Sequence, residues 1–171
     1  GPLDIVWTSG ATESNNLVLH HCAKALPGDA EVWISAIEHP CLIEATRKNF
    51  VDRHRLLPVT SGGVLDLDYL EKEIARQRPG LIAVMAANNE TGVLQPWAEV
   101  QALCCEHGIP FFCDAAQWVG KLPSASFRNS SMALRRFCSA SPRFDPSATK
   151  AMSLPTVMWF CIQSIMHSVQ S

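Results

Sequence analysis

The sequence has no excess of either charge: its 171 residues carry a net −2. That removes the electrostatic argument for nucleic acid or an anionic membrane as partner. No positively charged segment followed by an apolar h-region opens it, and its apolar runs fall far short of a bilayer span, so neither a secretory leader nor a membrane segment is expected. The seven cysteines (22, 41, 104, 105, 113, 138 and 161) form no C-x-x-C pair and no even framework. That usage reads as reduced thiols in a cytoplasmic protein, and the spacing offers no zinc site. G-x-G-x-x-G and a P-loop lysine are also absent, which excludes the usual dinucleotide and nucleoside-triphosphate fingerprints.

What is present is a chain able to bury a core, with 47% hydrophobic residues and a mean hydropathy of +0.07. Short apolar runs at 4–8, 31–35, 55–59, 81–86 and 109–114 read as strands. The run 81–86 is continuous, the expected appearance of a parallel strand covered on both faces, and the last is a buried run that ends abruptly in a carboxylate. Helical patterns lie between them. One runs from about Leu17 to Leu26, one from Pro40 to Asn49, and one has Leu67, Leu70 and Ile74 on one face behind an Asp66 cap. The fourth covers 96–107 with Val100, Leu103, Cys104 and His107 together. Regular β-α alternation from Asp4 to about Gly120 predicts an α/β fold, a mainly parallel sheet with helices on both faces.

Polar groups gather directly after these strands. Thr12 follows the first, at a strand-glycine-helix junction whose free N–H groups make an anion site; an ordinary N-cap would account for it as well. His39 follows the second and precedes Pro40, a residue suited to the first helical position. Asn89 follows the fourth. Asp114 ends the fifth, with Gln117 beside it; capping the next turn is the competing role for Asp114. In a parallel sheet such strand ends share one edge, so these residues are expected to converge on one crevice.

Four segments then read together. Thr8-Ser9-Gly10-Ala11-Thr12-Glu13-Ser14-Asn15-Asn16, Glu38-His39-Pro40, Ala87-Asn88-Asn89-Glu90-Thr91-Gly92 and Asp114-Ala115-Ala116-Gln117 with Gly120-Lys121 resemble the cysteine desulfurases. These are pyridoxal 5'-phosphate enzymes of the class V aminotransferase family, and the NifS/IscS-like branch is the most similar. The resemblance covers about residues 4–123 and implies part of the large domain of a fold-type I enzyme, a three-layer α/β/α architecture. It implies that Asp114 pairs with the pyridinium nitrogen. His39 would stack on the ring and move protons, acting as the catalytic residue. Ala11 and Thr12 would hold the phosphate, and Asn89 and Gln117 would bond near the phenolic oxygen or the substrate. The implied substrate is L-cysteine, which leaves as alanine, with a sulfur-acceptor protein and a second copy of the chain as partners. A selenocysteine lyase, an aminotransferase or a non-catalytic α/β scaffold are the alternatives.

The chain departs from the family after Pro123. The family's Ser-x-His-Lys segment, whose lysine carries the cofactor, has only a distant echo in Ser147-Ala148-Thr149-Lys150. Lys121 belongs to a Gly-Lys-Leu-Pro continuation and does not replace that lysine. No cysteine here matches the sulfur-accepting one, so the chain is expected to be inactive alone. Residues 124–171 read as a divergent tail, Ser- and Arg-rich, expected to be a frame-shifted or otherwise replaced continuation. Leu154–Val169 is apolar enough to pack, without an evident partner.

Overall fold

A computed structural model describes residues 6–119, 121 and 159–161. The elements run α1 (Ala11–Ala25), β1 (Val32–Ser35), α2 (Pro40–Asn49), β2 (His54–Leu57), α3 (Leu67–Arg76), β3 (Leu81–Ala83), α4 (Trp97–Glu106), β4 (Phe111–Asp114) and β5 (Trp159–Cys161). All strand pairs are parallel, in the order β2-β1-β3-β4-β5. The chain steps outward from β1 to β2, then returns over β1 to reach β3. The order therefore reverses between β1 and β3, where loops diverge and open a crevice beyond the strand ends.

Each face of the sheet is covered by one pair of helices. Val18, Leu19 and Cys22 of α1 pack with Leu42 and Ala45 of α2 against Val32, Ile34, Leu81, Ala83 and Phe112. On the other face Leu70 and Ile74 of α3, with Val100 and Cys104 of α4, meet Trp33, Leu57, Ile82, Phe111 and Cys113. Alternate residues of each strand thus feed opposite cores, which is why these strands read as unbroken apolar runs rather than as alternating ones. The expected α/β layering is what forms.

Local chemistry fixes the element starts. Asp66 accepts the Tyr69 N–H at 2.9 Å and caps α3. His39 caps α2, with Pro40 at its first position. At the lower end of the sheet Arg55 stacks 4.7 Å above the Trp33 ring and bridges Glu73 at 2.6 Å and Glu31 at 3.3 Å. The Trp33 indole N–H, more than Arg55, holds the Glu31 carboxyl below its ordinary value.

Four expectations need correction. Val6–Thr8, the described part of the run 4–8, form no strand, and Val6 and Trp7 are exposed. Thr8 instead bonds to the start of α1, its hydroxyl 2.6 Å from that of Ser14 and donating to the Gly10 carbonyl at 3.3 Å. A β-prone composition does not make a strand without a ladder partner. Helix α1 starts at Ala11, so Thr12 lies inside its first turn and Gly10 is the N-cap. Third, α4 buries Trp97, Val100, Gln101 and Cys104, the i, i+3, i+4, i+7 set, while His107 is exposed just beyond its end. Fourth, within the apolar stretch 154–169, Trp159–Cys161 does find a partner, lying alongside β4. The remainder of that stretch, and Lys150, lie outside the described residues.

Candidate functional site

A cavity of about 340 Å³ opens beyond the C-terminal ends of β1, β3 and β4, at the start of α1. Its wall includes Ala11, Thr12, His39, Asn89, Asp114 and Gln117, the full set of six residues singled out from sequence. The size is at the lower end of the range, roughly 300–1,000 Å³, of small-molecule sites. Three strand ends and one helix N-terminus meet there because the parallel sheet sends all its carboxyl ends to one edge.

The start of α1 forms one wall. Ser9 donates both its backbone N–H and its hydroxyl to Glu13 Oε2 at 2.6 Å, which lowers the Glu13 carboxyl from its ordinary value. This acid in the first turn reaches back to the residue before the cap, a variant of the capping box. No side chain caps the helix itself. The first-turn N–H groups have no intrahelical acceptor, and Gly10, Ala11 and Thr12 line the cavity. Together with the positive end of the helix dipole they favour an anion.

The floor is polar and buried. Asp114, 6% exposed, accepts the Ala116 N–H on Oδ1 at 3.0 Å and the Asn15 amide on Oδ2 at 2.9 Å. Asn15 is fully buried in α1, and its Nδ2 lies 3.3 Å from Cys41 Sγ. His39 Nδ1 accepts the Cys41 N–H at 3.2 Å and lies 3.0 Å from the Cys41 sulfur. A ring nitrogen that accepts a backbone N–H carries no proton, so the neutral imidazole holds its proton on Nε2.

Asn15, Glu38 and Cys41 carried no role in the reading of the sequence. Asn15 falls one helical turn after Ala11 and so shares its face, and Cys41 sits in the first turn behind the His39 cap. Those spacings were visible once α1 was known to begin at Ala11. Lys121 donates to Gln117 Oε1 and does not line the cavity. Among the described residues no lysine lines it.

Comparison with known proteins follows the same span. The family model described as aminotransferase class V matches residues 2–126. A mitochondrial cysteine desulfurase from Arabidopsis thaliana is 39% identical over 128 residues, covering 71% of this chain and 27% of that protein. The cysteine desulfurase IscS of Rickettsia prowazekii is 41% identical over 123 residues, or 70% of this chain and 30% of the relative. Among solved structures, a NifS-like protein from Rickettsia africae superposes with a TM-score of 0.58 at 33% identity, over 68% of this chain and 31% of that one. SspA in complex with cysteine gives 0.62 at 30% identity, over 71% and 36%. The chain thus spans about a third or less of the length of the curated relatives it matches.

Proposed function

The chain belongs to the class V aminotransferase family, whose members are pyridoxal-phosphate enzymes, and we propose that the cavity is the cofactor pocket of a cysteine desulfurase. The observation that carries this reading is the meeting of an uncapped helix start, an imidazole and a buried carboxyl around one small cavity. The donor set fits the cofactor's three polar ends. The first-turn N–H groups and the Thr12 hydroxyl would hold the phosphate. Asp114, already fixed by two N–H donors, would hold a proton at the pyridine nitrogen. Asn89 and Gln117 would orient the ring through its phenolic oxygen, and His39 would cover a ring face, with its Nε2 proton available for transfer. When bound, the cofactor supplies an electron sink for charge at the substrate Cα.

L-cysteine is the substrate we assign, from the relatives. A sulfur-acceptor protein and a second copy of the chain enter the proposal as partners of the complete enzyme. We read residues 1–123 as the family portion and 124–171 as a replaced continuation. No helix among the described residues is long and apolar enough to cross a membrane. Among the described residues Cys22, Cys41, Cys104, Cys105 and Cys113 form no disulfide, which suits a reducing compartment, for which we propose the cytoplasm.

Without a lysine in the described wall, binding is expected to be reversible and turnover of cysteine absent. The test is a titration with pyridoxal phosphate followed by absorbance, with and without borohydride. The expected result is a bound-state spectrum that is lost in Asp114→Ala and leaves no adduct on reduction. Binding indifferent to Asp114 and Thr12 would sink the pocket assignment. A reduced adduct on Lys150 would instead return the missing lysine to the site.

A further inference from the structure

Glu38 precedes the histidine that caps α2, yet it does not line the cavity. It is buried, and its Oε1 accepts the Met85 N–H at 2.7 Å, across the switch point between β1 and β3. A second bond crosses with the side-chain and backbone roles exchanged: Asn88 Nδ2 donates to the Ile37 carbonyl at 3.0 Å. The two loops are therefore pinned by a pair of hydrogen bonds, each between a side chain of one loop and the backbone of the other. One loop ends in His39, while the other carries Asn89.

We propose that Glu38 and Asn88 are positioning residues, a clamp that fixes the His39 and Asn89 loops against each other across the pocket.

Asn88 is also fully engaged on its own side. Its Oδ1 accepts the Glu90 N–H at 3.0 Å, the Thr91 N–H at 2.9 Å and the Thr91 hydroxyl at 3.0 Å, which folds the loop that presents Asn89. Such side-chain turns hold a loop as a unit, so pinning one of its residues positions the others. Glu38 has a buried neighbourhood that disfavours charge. The titratable groups facing it are Asp114 and Cys113, both at the end of β4. Burial, and after it Asp114, raises its carboxyl well above the ordinary value despite the bond from Met85. Burial thus disfavours a second anion beneath the pocket beside Asp114. Glu38 Oε2 has no hydrogen-bond partner among the described residues, which an uncharged carboxyl tolerates better than a carboxylate would.

The role of the clamp in ligand binding rests on the cofactor-pocket reading, whereas its geometry does not. The test uses the full chain with Glu38→Gln, Glu38→Leu and Asn88→Asp. It reads the His39 ring-nitrogen resonances, assigned with a His39→Asn variant, and pyridoxal phosphate affinity. Glu38→Gln keeps an acceptor for Met85 and should leave both readouts as in the unaltered chain. Glu38→Leu should shift the His39 resonances and weaken binding about tenfold, the scale of one buried hydrogen bond. Asn88→Asp keeps the Oδ1 acceptor for its own loop, removes the donor to Ile37 and sets a carboxylate oxygen against that carbonyl, so it should act like Glu38→Leu even if that variant fails to fold. Unmoved His39 resonances in Glu38→Leu or Asn88→Asp would overturn the clamp, and so would a Gln variant as impaired as Leu. Should the unaltered chain bind no pyridoxal phosphate, the pocket reading falls while the ring resonances still decide the clamp.

Discussion

The buried acid at position 38 makes stability depend on pH in a direction opposite to that of most carboxyls. In the unfolded chain Glu38 titrates near its ordinary value of about 4.3. In the folded chain burial first, then the Asp114 charge, keeps it protonated to higher pH. Between about pH 4.3 and the raised folded value the native state therefore binds up to one more proton than the unfolded state at this site. Its stabilising contribution is complete below the unfolded value and falls as pH rises toward the raised folded value. For one proton the slope is about 1.4 kcal/mol per pH unit. Glu38→Gln removes the titration and keeps the acceptor for the Met85 N–H, although its amide N–H donors have no assigned acceptor, a fixed cost of about 1–3 kcal/mol that does not vary with pH. Urea unfolding of both proteins at pH 5, 6 and 7 gives the difference directly. The unaltered chain should lose stability relative to Glu38→Gln by roughly one such slope for each pH unit within the window. The pH range stays below the thiols, since burial raises Cys22 to about 11 and lifts Cys104 and Cys113 as well. Parallel stability profiles for the two proteins would refute a buried neutral acid at position 38.

Two further predictions concern the framework. Phe112 is 1% exposed in the middle of β4, inside the core shared with α1 and α2, so Phe112→Ala should cost about 3–5 kcal/mol in denaturant unfolding, while Leu94→Ala, at an exposed site, should stay within about 0.5 kcal/mol. Asp66→Ala removes the acceptor for the Tyr69 N–H and should cost about 1 kcal/mol, with a reduced midpoint and an unchanged m-value.

The sequence by itself determined the alternation of strands and helices, the parallel sheet and the two covered faces. Each rests on local patterns: unbroken apolar runs at Leu81–Ala83 and Phe111–Asp114, the Asp66 cap, Pro40 at a helix start. The cavity residues were legible for a related reason. A parallel sheet sends every strand end to one edge, so Ala87–Asn89 and Asp114–Gln117 had to arrive near His39. Helix starts and strand ladders were less legible, because they depend on partners distant in sequence. Val6–Thr8 has strand composition, but Thr8 engages the start of α1 instead, and with the Ser9–Glu13 bonds it marks where the helix begins. The tertiary structure alone placed Asn15 against Asp114, 99 residues away, and Glu38 against Met85, 47 residues away. Whether a buried polar side chain is a bare cost or a support for the site depends on which donor stands opposite it. That is a property of the packed loops, and no local pattern of residues encodes it.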